Sequence, residues 1–72
     1  MDEQILNQIT KENMLDYEFI RESGLCNMFD YYSVMRVAIN AKMNLGNFTL
    51  DQYKLLLMNF NSLMKFYNII QY

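Results

Sequence analysis

Histidine, proline and tryptophan are absent from this chain, glycine occurs twice and cysteine once. Each shortage removes a class of function. Without histidine, the side chain most used for acid-base chemistry at neutral pH is missing. Cys26 has no imidazole to activate it, so it reads as a small buried hydrophobe beside a turn and not as a nucleophile. A single thiol closes no intrachain disulfide, and without histidine it builds no structural zinc site. Gly24 and Gly46 stand alone, so no glycine-rich loop is available to cradle a phosphate. The carboxylates Asp16, Glu18 and Glu22 read as a solvated helix surface. No catalytic residue, metal ligand or cofactor is therefore expected, and the chain reads as a non-enzyme.

Charge is also scarce, at 19% of residues with a net of −2. It is unevenly spread. Residues 1–22 carry Asp2, Glu3, Glu12, Asp16, Glu18 and Glu22 against Lys11 and Arg21, while residues 23–72 carry Arg36, Lys42, Lys54 and Lys65 against Asp30 and Asp51. That is too little positive charge for duplex nucleic acid, whose binding rewards many cations. A compact anion such as a mononucleotide needs only two or three and stays open. No apolar run is long enough for a membrane span: Leu55–Met58 ends at Asn59. The first residues, Met-Asp-Glu-Gln, are acidic where a secretory leader is basic. Together with the free thiol this predicts a cytoplasmic protein.

What is abundant is apolar surface, at 53% of 72 residues. A chain of this length makes one domain, 1–72, and buries only about 60% of the surface its unfolded form exposes. Without disulfide or metal to staple it, the surplus predicts contact with a second copy of the chain. The expected fold is all-α, a small bundle of three to four helices that forms a homo-oligomer.

Apolar spacing and the two glycines predict three helical blocks, approximately 3–23, 28–44 and 49–70. The first reads as one helix or as two pieces, since Thr10-Lys11-Glu12-Asn13 is polar on all sides. Thr10 is positioned to restart a helix as an N-cap, with Ile9 and Met14 as a hydrophobic staple, and Gly24 closes the block. The second opens at Asn27 and turns Tyr31, Val34, Met35, Ala38, Ile39 and Leu45 inward, with Gly46 as its stop. The third opens on a capping box, Thr49 with Gln52, and a staple, Phe48 with Tyr53. Leu50, Tyr53, Leu57, Phe60, Met64 and Tyr67 then follow heptad spacing. Leu55, Met58, Phe66 and Ile69 widen the arc beyond what two partner helices cover, so this helix is the expected oligomer interface.

The corner between the first two blocks, residues 20–32, is the densest unusual segment, and two readings of it stand. Ser23, Gly24, Asn27 and Asp30 suffice as helix stop and start signals. The same segment also suits a ligand: amides at the helix start with Arg21 and Arg36 can hold an anion, while Phe29, Tyr31 or Tyr32 can stack on a base. The expected ligand contacts are Arg21, Ser23, Asn27, Tyr31, Tyr32 and Arg36.

Over residues 17–40 the chain resembles a small domain family of unknown function from phages and prophages of Gram-positive bacteria. The likeness rests on Ile20-Arg21-x-Ser23-Gly24, Asn27-Met28-Phe29-Asp30, and then Val34, Arg36 and Ala38; the C-terminal helix departs from it. No activity is established for that family, so no residue role carries over. The resemblance implies a phage-borne protein in the cytoplasm of an infected or lysogenic host; many phage proteins of this size bind and neutralise a host factor, so suppression of antiviral defence by binding is the expected role. The leading expectation is sequestration of a nucleotide immune signal in an oligomer. The alternative is an inhibitor that caps a host protein surface, and a third is a small DNA-binding regulator built on the helix-turn-helix corner.

Overall fold

In the computed structural model of the chain, residues 2–69 are described. They form five α-helices and one 3₁₀ turn, with no strand among them: α1 (Glu3–Gln8), α2 (Lys11–Ser23), α3 (Tyr31–Asn40), the 3₁₀ turn Asn44–Asn47, α4 (Leu50–Met58) and α5 (Phe60–Phe66). The radius of gyration, 11.3 Å, matches the roughly 11 Å of a compact chain this long. The chain therefore closes a core of its own.

The first block divides at Thr10. Its hydroxyl accepts from the Asn13 N–H, and the Asn13 side chain accepts from the Thr10 N–H at 2.9 Å, forming a reciprocal capping box. Ile9 and Met14, the staple pair on either side, are both fully buried. Gly24 ends α2 in the left-handed conformation, φ 68°, where a Cβ would be strained.

The second block is shorter than its spacing suggests. Helix α3 begins at Tyr31, because Asn27 caps a turn and not the helix: its Oδ1 accepts from the Phe29 N–H, and its carbonyl accepts from the Asp30 N–H. The helix stops at Asn40, well before Gly46. Lys42 takes the left-handed position, φ 56°. The Met43 N–H reaches the Ala38 carbonyl at 2.8 Å and the Lys42 N–H reaches Ile39 at 3.1 Å, the pairing of a Schellman termination. This early stop sends Met43 and Leu45 back onto α2 and α3, where Leu45 is fully buried and its N–H donates to the Asp16 carboxylate at 3.3 Å.

The third block is not one helix. Thr49 and Gln52 form the expected capping box, with Phe48 and Tyr53 buried as its staple. The helix then breaks at Asn59, whose backbone leaves helical geometry (φ −113°, ψ 18°) while its side-chain amide donates to the Leu55 carbonyl at 2.9 Å. A side chain that bonds the preceding turn competes with the helical ladder and bends the axis. Helix α5 ends in a second Schellman pairing, Ile69 N–H to Met64 and Asn68 N–H to Lys65, with Asn68 at φ 56°. The expected terminus near Ile70 lies outside the described residues.

The core combines Ile9, Met14, Tyr17 and Ile20 with Val34, Met35 and Ala38, and with Tyr53, Leu56, Leu63 and Met64. Each fully buried aliphatic side chain contributes about 1.5–3 kcal/mol of transfer free energy. Three tyrosines tie distant segments together through their hydroxyls. Tyr67 donates to the Ile9 carbonyl at 2.6 Å, Tyr53 to that of Met28 at 2.5 Å, and Tyr31 to that of Phe48. Each bond is made at a segment boundary, where backbone carbonyls lack helical partners. Among the described residues no buried side-chain nitrogen or oxygen is left unpaired.

Candidate functional site: the α2–α3 corner

The corner joins the end of α2 to the start of α3 through residues 24–30, and internal hydrogen bonds fix it. Ser23 Oγ donates to the Ile20 carbonyl at 2.6 Å and accepts from the Leu25 N–H at 3.3 Å. Asn27 forms the turn described above. Asp30, the N-cap residue of α3, accepts from Ser33 Oγ at 2.7 Å, and that bond holds its carboxyl below the usual carboxylate range. The positive end of the α3 dipole is thus already occupied by the chain's own anion.

Among the six expected ligand contacts, four are engaged elsewhere. Arg21 makes a two-pronged pair with Glu18, Nε to Oε1 at 2.6 Å and NH2 to Oε2 at 2.9 Å. The hydrogen bond to buried Glu18 raises the affinity of the guanidinium for its proton and neutralises its charge locally. The same guanidinium lies 6.0 Å from the centre of the Phe60 ring, a structural cation–π contact. Ser23 and Asn27 spend their oxygens on the turn, and Tyr31 spends its hydroxyl on Phe48. Tyr32 and Arg36 remain exposed. They stand four residues apart on one face of α3, with the Tyr32 ring edge-on to Tyr31 at 5.2 Å.

The corner presents three large apolar side chains outward among its exposed polar ones. Phe29 is 84% exposed, Tyr32 73% and Leu25 65%, and the three lie within eight residues on a hydrogen-bonded turn. Beside them Cys26 is half-buried; desolvation first and the nearby Asp30 second push its thiol up, away from the reactive thiolate. Leu25 is the residue sequence reading passed over. Flanking Gly24 within a turn, a leucine carries no signal that separates an exposed anchor from a core contact.

The heptad seam expected to face another copy is largely used within the protomer. Tyr53 and Met64 are buried core residues, and Leu57, Phe60 and Tyr67 are half-buried against the same core. Leu50 is exposed. Conversely, Ile39, expected inside by its spacing, is exposed, as are Leu15, Phe19, Met58 and Phe66. An open cleft lies at the end of α5, lined by Asn61, Met64, Lys65, Asn68 and Ile69; no expected ligand contact lines it.

Among the described residues no three metal-ligating side chains converge, and no helix is long and apolar enough to cross a membrane. Compared with protein-family models, with curated proteins and with solved structures, the chain has no significant match, so the local likeness over residues 17–40 gains no support.

Proposed function

We propose that the chain is a non-catalytic binding protein that docks on another protein through the α2–α3 corner. In a phage-type chain the partner is a host defence factor, which the docked protein disables by covering its surface. One observation carries this reading: Leu25, Phe29 and Tyr32 project into solvent from a turn whose polar groups are bonded internally. A hydrogen-bonded turn presents these side chains from a fixed backbone, and exposed aromatic anchors of this kind dominate interface energies. The single-chain core and the early appearance of Gly24, Asn27 and Asp30 as turn-formers fit a scaffold that displays this corner.

A second reading keeps the nucleotide signal as ligand, and Tyr32 with Arg36 favours it. An exposed ring and an exposed guanidinium on one helix face suit a base and a phosphate. Against it stand Asp30, which fills the start of α3, and Glu18, which neutralises Arg21. Sequestration then rests on one arginine per chain, and would need the residues of more than one subunit.

Both readings are separated by purifying the protein from phage-host cells and comparing it with the Leu25→Ser/Phe29→Ser/Tyr32→Ser variant. Docking predicts a stoichiometric protein complex that the triple substitution abolishes, with no small molecule seen in native mass spectra. A retained mass of nucleotide size, lost in Arg36→Ala, replaces docking with sequestration. Identical complexes from wild type and triple variant refute the corner as the docking surface.

A further inference from the structure

A second surface lies along the exposed sides of α2 and α3. On α2, Glu12, Leu15, Phe19 and Glu22 follow 3-4-3 spacing and so share one helix face. All four are exposed, Phe19 by 61%. This places two apolar side chains between two carboxylates. On α3 and its termination, Arg36, Ile39 and Lys42 lie at successive three-residue steps, again all exposed, with Ile39 open by 60%. Here one apolar side chain is flanked along the chain by two cations, with Lys42 just past the end of the helix. Among the described residues the only ion pair is Glu18 with Arg21, so none of these four charges is ion-paired there, although Arg36 lies near enough to Asp30 to help hold its carboxyl down.

We infer that these two faces are complementary halves of a self-association surface: the α2 face of one copy receives the α3 face of another. Both halves are carried by one chain, which argues for a second copy as the occupant over a foreign partner. Leu15 and Phe19 against Ile39 supply the apolar centre, and Glu12 and Glu22 against Arg36 and Lys42 form a charged rim. Such a rim sets orientation and encounter rate more than affinity. Lys11, beside Glu12, reduces the acidity of the first face without cancelling it. Leu25 and Phe29 take no part in this assembly, whereas Tyr32 stands one turn before Arg36 on the same stripe of α3. The assembly also moves the oligomer interface away from the α4–α5 seam, whose central residues the protomer buries.

Sedimentation velocity over a range of protein concentrations tests this with surface substitutions that leave the core intact. Wild type is expected to associate, and Leu15→Asn/Phe19→Asn to sediment as a monomer. Glu12→Lys/Glu22→Lys and Arg36→Glu/Lys42→Glu should each weaken association roughly tenfold or more, since attraction becomes repulsion. The decisive step is to mix these two charge-reversed variants. Each meets in the other the opposite charge on both faces, so the mixture should associate where neither does alone. A monomeric wild type overturns the proposal. So does an oligomer indifferent to the Leu15/Phe19 substitutions, or a mixture no stronger than its parts. Retained association in a Leu25→Ser/Phe29→Ser variant is expected, and it separates this result from the fate of the docking reading.

Discussion

The buried tyrosines and the corner aromatics use similar side chains in opposite ways. Tyr53 is nearly inaccessible, touches the rings of Tyr17 and Tyr31 at 6.1 and 5.8 Å, and gives its hydroxyl proton to the Met28 carbonyl. Tyr67 bonds the carbonyl of Ile9 across 58 residues of chain. Phe29 and Tyr32 lie on the surface, and no hydrogen bond to another part of the chain engages the Tyr32 hydroxyl among the described residues. An aromatic side chain close to a segment boundary supplies fold specificity when its polar end finds a remote carbonyl, and binding surface when it does not. The difference lies in the partner atoms, not in the residue type.

Removing a buried tyrosine should break the comparison most severely. Tyr53→Ala deletes a ring at the centre of the aromatic cluster and leaves the Met28 carbonyl unpaired, so a loss of ~3–5 kcal/mol is expected. Total stability for a domain this size is on the order of 4–11 kcal/mol, so chemical denaturation should show a large drop or an unfolded chain. Alkaline titration addresses the same group of residues. Burial raises the Tyr17, Tyr53 and Tyr67 hydroxyls above their ordinary range; for Tyr67 the carboxylate of Glu12 adds to it. The folded state therefore holds these protons more tightly than the unfolded state. Their contribution is complete below about pH 10 and is lost as pH rises above it, when unfolded tyrosines ionise first. Denaturant midpoints measured on either side of that pH should fall in wild type and fall less in Tyr67→Phe.

A gentler change isolates one anchor. Tyr67→Phe keeps the ring and removes the bond to Ile9, at a cost of about 1 kcal/mol. If stability is unchanged, the hydroxyl does not hold α5 to the α1–α2 junction. Smaller still, and of opposite sign, is Lys42→Gly. Lysine in the left-handed conformation is strained by about 1–2 kcal/mol, which glycine relieves while adding backbone entropy to the unfolded state. A net gain of up to about 1 kcal/mol is expected, read as a higher denaturant midpoint.

Sequence pattern conveyed some of this architecture and concealed the rest for identifiable reasons. Thr10 and Thr49 are legible because a cap joins residues only three positions apart, and the flanking staples Ile9–Met14 and Phe48–Tyr53 are equally local. Gly24 is legible because no other residue meets its conformation so cheaply. Lys42 hides the end of α3, since it adopts a backbone geometry that its side chain does not advertise while Gly46, four residues on, does. Asn59 is hidden likewise: within an apolar helical pattern, an asparagine that bonds the preceding turn looks the same as one that faces water. The seam from Leu50 to Tyr67 was ambiguous for a deeper reason, because heptad spacing specifies an apolar stripe without saying whether the chain itself or another copy covers it. Of the expected ligand contacts, Tyr32 and Arg36 keep their availability. Arg21 loses it to Glu18, a partner three residues away that spacing alone allowed but did not require.

The measurement that tests the account most directly is to substitute Leu25, Phe29 and Tyr32 with serine together, then record both the unfolding free energy and the capture of the protein partner. Corner side chains that serve binding and not folding predict stability within about 0.5 kcal/mol of wild type and loss of the complex. A large loss of stability, or a complex that forms as before, contradicts the division of labour between the tyrosine anchors and the corner.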